Sequence, residues 1–258
     1  MATEVSFDGN DLQTASILIS NMSGHDSMPE KEMERFSLAF SNSSTVMDPN
    51  YPSRTIQLSG KIIGTSISDL DSKLDTFKAY FRGKEKNLDI DHAGGTRRYI
   101  ASLNSMSIDR PNGLSFANFD IEFFCSNPFG KATSSTSALS ASARTLGSYT
   151  DSHTFIGTAP YQLPVITITL NTVTGGTGHL SFSNDDTGQS INITGQSFVD
   201  DDVIEIDCVN KTVKLNGAEI DFMGAFPEFE PGSHDFTYGD GFATRNFDIN
   251  VDYYALYL

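Results

Sequence analysis

The chain has no tryptophan, only two cysteines, and 17 Lys and Arg against 33 Asp and Glu. Each shortage narrows what it can do. Sugar rings are gripped most strongly by stacking on large aromatic faces, and indole is the best platform, so its absence counts against a carbohydrate site, with tyrosine as the remaining substitute. Cys125 and Cys208 lie far apart, fit no metal-ligand spacing and sit in apolar, strand-like runs. They read as buried free thiols, as in a reducing cytoplasm, with a disulfide as the alternative. His25, His92, His153, His179 and His234 are scattered without His-Glu-x-x-His or i,i+4 pairing, so no zinc site is expected.

The shortage of bases gives a formal net charge of −16. It is uneven: residues 1–130 hold 17 acids against 12 bases, and residues 131–258 hold 16 against 5. Such a surface repels phosphates, which excludes sequence-specific nucleic-acid binding. It remains compatible with an acidic tunnel through which DNA slides. Long apolar runs are absent, so no membrane insertion is expected. The opening residues "MATEVSFDGNDLQ" carry acids where a signal peptide needs bases followed by an apolar stretch, so export by the usual route is not expected.

What is present is a mainly β chain. With 258 residues, 19 Phe and 9 Tyr, it can fill one large core or two ordinary ones. "KATSSTSALSASARTLGSYTDS", residues 131–152, is Ser, Thr or Ala at 15 of 22 positions and reads as a linker. Three regions follow: 1–130, the linker 131–152, and 153–258. In the first, "ERFSLAF" and "RTIQLSGKIIG" alternate like strands. Between them, "SNSSTVMDPNYPS", Ser41 to Ser53, is a long turn-rich loop that would join the two as a hairpin. It reads either as an interaction arm, centred on Val46, Met47, Asp48, Pro49, Asn50, Tyr51 and Pro52, or as a solvated loop. One helix is legible: Ser68 as N-cap, a stripe of Leu70, Leu74, Phe77 and Phe81, and Arg82-Gly83 at the end. Gly94-Gly95 reads as a hairpin turn. In the last region, about six short strands between Gly, Asn and Asp turns predict a β-sandwich. Its clearest hairpin is "VIEIDCVNKTVKLNG", Val203 to Gly217, with turns at Asn210-Lys211 and Asn216-Gly217.

No catalytic pattern accompanies these elements. "SGHDS", Ser23 to Ser27, sets Ser, His and Asp side by side, but a hydrolytic triad is assembled in space and not by adjacency. Asp185-Asp186 and Asp200 to Asp202 lack the spacing of a calcium loop and read as turn acids. A carboxylate pair for glycoside hydrolysis is not identifiable from sequence. "GGTGHL", Gly175 to Leu180, precedes no helix and has no Lys, so it is no phosphate cradle. No catalytic, cofactor-binding or metal-binding residues are therefore expected, which suits a binding or structural component.

The hairpin, with "INITGQSFVDDD" before it and "FPEFEPGSHDFTYGDG" after it, resembles the C-terminal sandwich of siphophage distal tail proteins. The matching positions are Ile206, Asp207, Cys208, Val213, Asn216, Gly217, Phe226, Pro227, Phe229, Pro231 and Gly232. "APYQLPVITITL" is similar to the first strand of that domain. "FDGNDL", "RTIQLSGKIIGTSISDLDSKLDTFKAYF", "LDIDHAGGTRRYIA" and "FFCSNPFG" follow the order of the N-terminal half. The resemblance implies two domains: an N-terminal, β-sandwich-like ring domain with one packed α-helix, and a C-terminal galectin-like antiparallel β-sandwich. It leaves open whether the last strand, "FDINVDYYALYL", returns to the first domain. It implies a structural virion protein at the tail tip, made in the host bacterial cytoplasm, with no enzymatic activity. Six copies would form a hub ring joining the tail-tube protein to a tail-tip, tail-fibre or tail-associated lysin protein, some relatives embracing their neighbours with an arm. The alternative is a carbohydrate-binding or adhesion module recognising the host wall, with a cell-wall hydrolase as a third reading. Fold alone does not decide among these.

Overall fold

The computed structural model describes residues 4–32, 35–37, 44–46, 50–176 and 178–258. It is mainly β with one α-helix, and it divides into two compact units, residues 1–133 with Leu258, and residues 134–257.

The first unit opens with β1 (Val5–Phe7), β2 (Asn10–Asp11) and β3 (Ile17–Ser23). The short strands β4 (Arg35–Ser37) and β5 (Ser44–Val46) follow, then β6 (Arg54–Ile63) and helix α1 (Ile67–Ala79). The unit continues with β7 (Lys86–His92), β8 (Gly95–Asp109), β9 (Phe116–Cys125) and β10 (Gly130–Ala132). The sheet runs β2-β1-β7-β8-β9-β6-β3, and β10 pairs with β8. Strands β6 and β9 pair over ten consecutive rungs, from Arg54 opposite Cys125 to Ile63 opposite Phe116. Strict alternation along both sends Ile56, Leu58, Ile62, Phe119, Ile121 and Phe123 into the core. Leu70, Leu74 and Phe77 of α1 are buried, and the ring of Phe77 meets Phe119 at 5.0 Å. Phe81, just past the helix, stays in the core against Phe7 and Phe123.

The helix begins two residues earlier than its sequence predicts. Ser66, not Ser68, is extended (φ −150°), and its Oγ accepts the Asp69 N–H at 3.1 Å. It ends at Ala79 with Tyr80 still in the right-handed region, so Gly83 is not its cap. The β7–β8 hairpin turns at Ala93-Gly94, with His92 opposite Gly95. A larger difference concerns β6. Its outer neighbour is β3, which carries a bulge between Ile19 and Asn21, and not the "ERFSLAF" segment. Of that segment only Arg35–Ser37 is described, and it pairs with Ser44–Val46 in a separate ribbon.

The second unit is a two-sheet sandwich. In chain order its strands are β11 (Thr136–Arg144), β12 (Ser148–Phe155), β13 (Pro164–Thr174), β14 (His179–Asn184) and β15 (Ser190–Thr194). The hairpin β16 (Asp202–Asp207) and β17 (Thr212–Leu215) comes next, then β18 (Ala218–Glu219) and β19 (Met223–Gly224). The chain closes with β20 (Gly232–Asp240), β21 (Thr244–Tyr253) and β22 (Leu256–Tyr257). One sheet runs β11-β21-β13-β16-β17-β18 and the other β12-β20-β14-β15-β19. Aromatic contacts join them: Tyr238 meets Phe247 at 4.1 Å and Phe155 meets Tyr253 at 4.9 Å. Strand β21, the long strand near the C-terminus, lies between β11 and β13 inside this unit.

The stretch 131–152, read from its composition as a linker, is largely strand. Residues 136–144 and 148–155 are strands, one at the edge of each sheet. In β11 only Leu139 and Ala141 are buried, so small inward residues hide the two-residue period that marks a strand. The fingerprint hairpin has the expected register, with Ile204 opposite Leu215 and Ile206 opposite Val213. Asp207 closes its turn: Oδ1 accepts the amides of Val209 and Asn210, both at 2.9 Å, while Lys211 takes φ +56°. Asn216 and Gly217, at φ +50° and +82°, make the next turn. Phe229 of "FPEFEPG" is buried, stacks on Phe155 at 4.4 Å and exchanges backbone hydrogen bonds with Gln162.

Phe77→Ala is expected to cost about 3–5 kcal/mol through the cavity it leaves. Ser66→Ala is expected to cost about 1 kcal/mol by removing the N-cap. Both are read from denaturant titration of the full chain.

Candidate assembly site

The chain leaves the first sheet at the end of β3 and rejoins it at Arg54, the first residue of β6. The excursion between them holds the predicted arm. Glu32 and Asn50 form an antiparallel bridge, each amide donating to the other's carbonyl at 2.9 and 3.0 Å, and β4 pairs with β5 beyond it. Arg35 stands opposite Val46 in that ribbon. Of the arm residues, Val46 is thus in the ribbon and Asn50 at its base; Met47, Asp48 and Pro49 lie outside the described residues. Tyr51 packs its ring 5.6 Å from the buried ring of Phe129, with the Lys31 ammonium 5.5 Å from the Tyr51 centroid. Pro52 is exposed. The sequence placed the loop at Ser41 to Ser53; the structured excursion starts nearer Gly24.

Its neck is a built feature. Gly24 adopts φ +87°, and a Cβ there would lie 2.1 Å from the Thr55 carbonyl oxygen, so only glycine brings the chain this close to β6. The next carbonyl, of His25, accepts from Arg54 Nη1 at 2.9 Å and from the Tyr99 hydroxyl at 3.4 Å. Arg54 also donates to the Tyr99 oxygen at 3.2 Å, and its guanidinium lies 5.4 Å from the Tyr99 ring centroid. One side chain therefore ties the outgoing strand to the incoming one. Arg54 is only 3% exposed, and no carboxylate pairs with it among the described residues. Its Nε and Nη2 have no acceptor. Burial pulls this guanidinium below its ordinary range and pushes the Tyr99 hydroxyl above its own. The thiol of Cys125, opposite Arg54 in the β6–β9 pair, is pushed up to about 12 by burial, so it is an inert, neutral wall.

In "SGHDS", Ser27 donates to the Gly24 carbonyl at 3.2 Å, while His25 faces Asp26 and His92, so Ser, His and Asp form no relay. Asp185 accepts from Ser183 and Thr237, Asp200 from the Val173 amide, and Asp202 from the Val199 amide and Asn216. These acids pin turns, and no cluster of metal-ligating side chains occurs among the described residues. In the second unit a cavity of about 320 Å³ is lined by Thr174, Gly175, Gly176, Gln196, Phe198 and Phe242. Phe242 is buried and Phe198 meets it edge-on at 88°, so the two rings do not form one flat platform for a sugar.

The outer face of the β6–β9 pair is polar along its middle, with Lys61 on the same face and Ile63 and Phe124 exposed towards its ends. Gln57 and Asn104 both donate to the Glu122 carboxylate, and Thr55, Ser59, Asn118 and Asp120 share that face. Beside it, β3 is the last strand of the sheet and, among the described residues, pairs on one side only.

Two family models match the chain in sequence. One, described as a phage tail protein RIFT-related domain, matches residues 10–125; the other, described as a siphovirus-type tail component, C-terminal domain, matches residues 156–257. Among solved structures, the Dit protein of phage SPP1, described as a paradigm of hub adsorption apparatus in phages infecting Gram-positive hosts, aligns over 100% of both chains at TM-score 0.71 and 13% identity. A chain of the phage P2 baseplate in its activated conformation aligns over 98% of both chains at TM-score 0.43 and 11% identity. No curated protein matches the chain.

The neck predicts a coupling. Tyr99→Phe removes both the acceptor of Arg54 and a donor to His25, at an expected cost of about 1–3 kcal/mol. In an Arg54→Met background that cost should shrink. A double-mutant cycle by urea denaturation is expected to return a coupling of about 0.5–3 kcal/mol, and strict additivity would contradict the clamp.

Proposed function

This chain belongs to the siphophage distal tail protein family, and from that membership we propose that six copies close a ring at the lower end of the tail tube. The protein is a structural, virion-associated tail component with a distal tail or baseplate hub role. The family's work is assembly and not catalysis. The observation that carries the ring reading is the excursion from Gly24 to Ser53: a two-stranded ribbon outside the main sheet, bridged at its base and clamped at its neck. A ribbon held in this way fits an arm that embraces the neighbouring subunit. Strand β3, open along one side among the described residues, offers a neighbour an edge to pair with.

In this reading the polar outer face of β6 and β9 lines the lumen. The Asp120 and Glu122 carboxylates on that face repel DNA phosphates and outnumber Lys61, which suits passage without adhesion. The tail-tube protein would stack on one side of the ring. A tail-tip, tail-fibre or tail-associated lysin protein would dock on the other. The Gly-rich cavity of the second unit is not assigned to a sugar.

The bridge between Glu32 and Asn50 gives a clean test. Replacing residues 33–49 with an Asn-Gly turn should close that bridge as a tight hairpin and leave the sheet intact. The variant is expected to keep the thermal transition of the parent and to sediment as a monomer wherever the parent forms rings. A shortened protein that still forms rings would remove the arm from the assembly mechanism.

A further inference from the structure

The neck holds a second feature that ring assembly does not explain. His25 and His92 lie with ring centroids 5.5 Å apart, their side chains 13% and 11% exposed. Both face one carboxylate: His25 Nε2 is 2.9 Å from Asp26 Oδ2, and His92 Nδ1 is 3.3 Å from Asp26 Oδ1. A neutral imidazole has one N–H. With that N–H donated to Asp26, the other nitrogens, His25 Nδ1 and His92 Nε2, are bare lone pairs, and both are buried with no donor.

The surroundings are cationic. Arg54 and Arg97 bear on both rings. Tyr99 and Cys125 are neutral walls around Arg54. Asp26, the one acid facing the pair among the described residues, is 69% exposed, so water screens much of its charge. Each nitrogen that gains a proton becomes another donor in a pocket where Arg54 already has two donors without acceptors.

We propose that His25, Asp26 and His92 form an acid-sensitive latch, in which neutral rings hold residues 24–26 against the sheet and proton uptake releases them. Burial pulls both histidines below their ordinary value, which fixes the direction of the response. When the neck opens, the rings return to water and to a pKa of about 6.5. Above that pH both states are neutral and the latch has its full strength. As pH falls below it, the open neck takes up protons that the closed neck resists, and the closed state loses stability until the lowered values are passed. The histidines belong to the neck of each subunit, so the latch operates with or without a ring.

The test is hydrogen exchange by mass spectrometry on the full chain, comparing about pH 7.5 with about pH 5 after correction for intrinsic rates, since the open-state value of about 6.5 lies between them. Peptides covering residues 22–30 are expected to exchange faster at the lower pH, by about tenfold for each unit by which one histidine is lowered. The double variant His25→Gln/His92→Gln should lose that pH dependence. An unchanged rate in the parent, or the same acceleration in the double variant, would overturn the latch. Should the double variant fail to fold, ring-proton NMR titration of the parent decides: both histidines must titrate below about 6.5, and titration at or above it refutes the proposal.

Discussion

The ten-rung pairing of β6 with β9 is the constraint on which the first unit depends. Its inner face supplies the aliphatic and phenyl rows that α1 and Phe7 cover. Its outer face carries Gln57, Glu122 and their polar neighbours, with Ile63 and Phe124 exposed towards the ends. Its first rung sets Arg54 beside Cys125, in reach of Tyr99 and of the His25 carbonyl. A slip of one residue would reverse every one of these placements, moving the apolar row to solvent and Arg54 away from the neck. The register therefore decides the core, the exposed face and the root of the excursion together.

Arg54 illustrates how stability and assembly are joined. A buried guanidinium without a carboxylate is costly, and its hydrogen bonds to two oxygens offset that cost only in part. A residue retained under that penalty is better explained by what it positions than by stability. Here it positions the chain where it leaves and re-enters the sheet. The second unit shows the opposite economy. Its motif residues are turn and core devices: Asp207 accepts the turn amide of Asn210, Asn216 accepts the amide of Val203 in β16, and Phe229 stacks inside the sandwich.

Much of this was legible in the sequence where local chemistry and global fold agree. The 203–217 hairpin announces its strands by alternation and its turns by Asp207, Asn216 and Gly217, and α1 announces its buried stripe. The strands at 136–144 and 148–155 were not legible: the first is Ser/Ala-rich and buries only Leu139 and Ala141, and the second is polar and buries only Phe155, so neither shows an apolar period. The partner of β6 was misassigned because β3, interrupted by a bulge, alternates poorly. The paired histidines were hidden for another reason. His25 and His92 are distant in sequence and converge only when the β7–β8 turn meets the excursion, and the sole local sign was a histidine next to Asp26.

The central claim is that this protein works by closing a ring. Light scattering of the purified full chain across a concentration series, with negative-stain images of the largest species, tests it most directly. The account predicts a particle of six times the 28.1 kDa chain with a central hole. A protein that stays monomeric at every concentration, and binds isolated tail tubes without forming a ring on them, would contradict it.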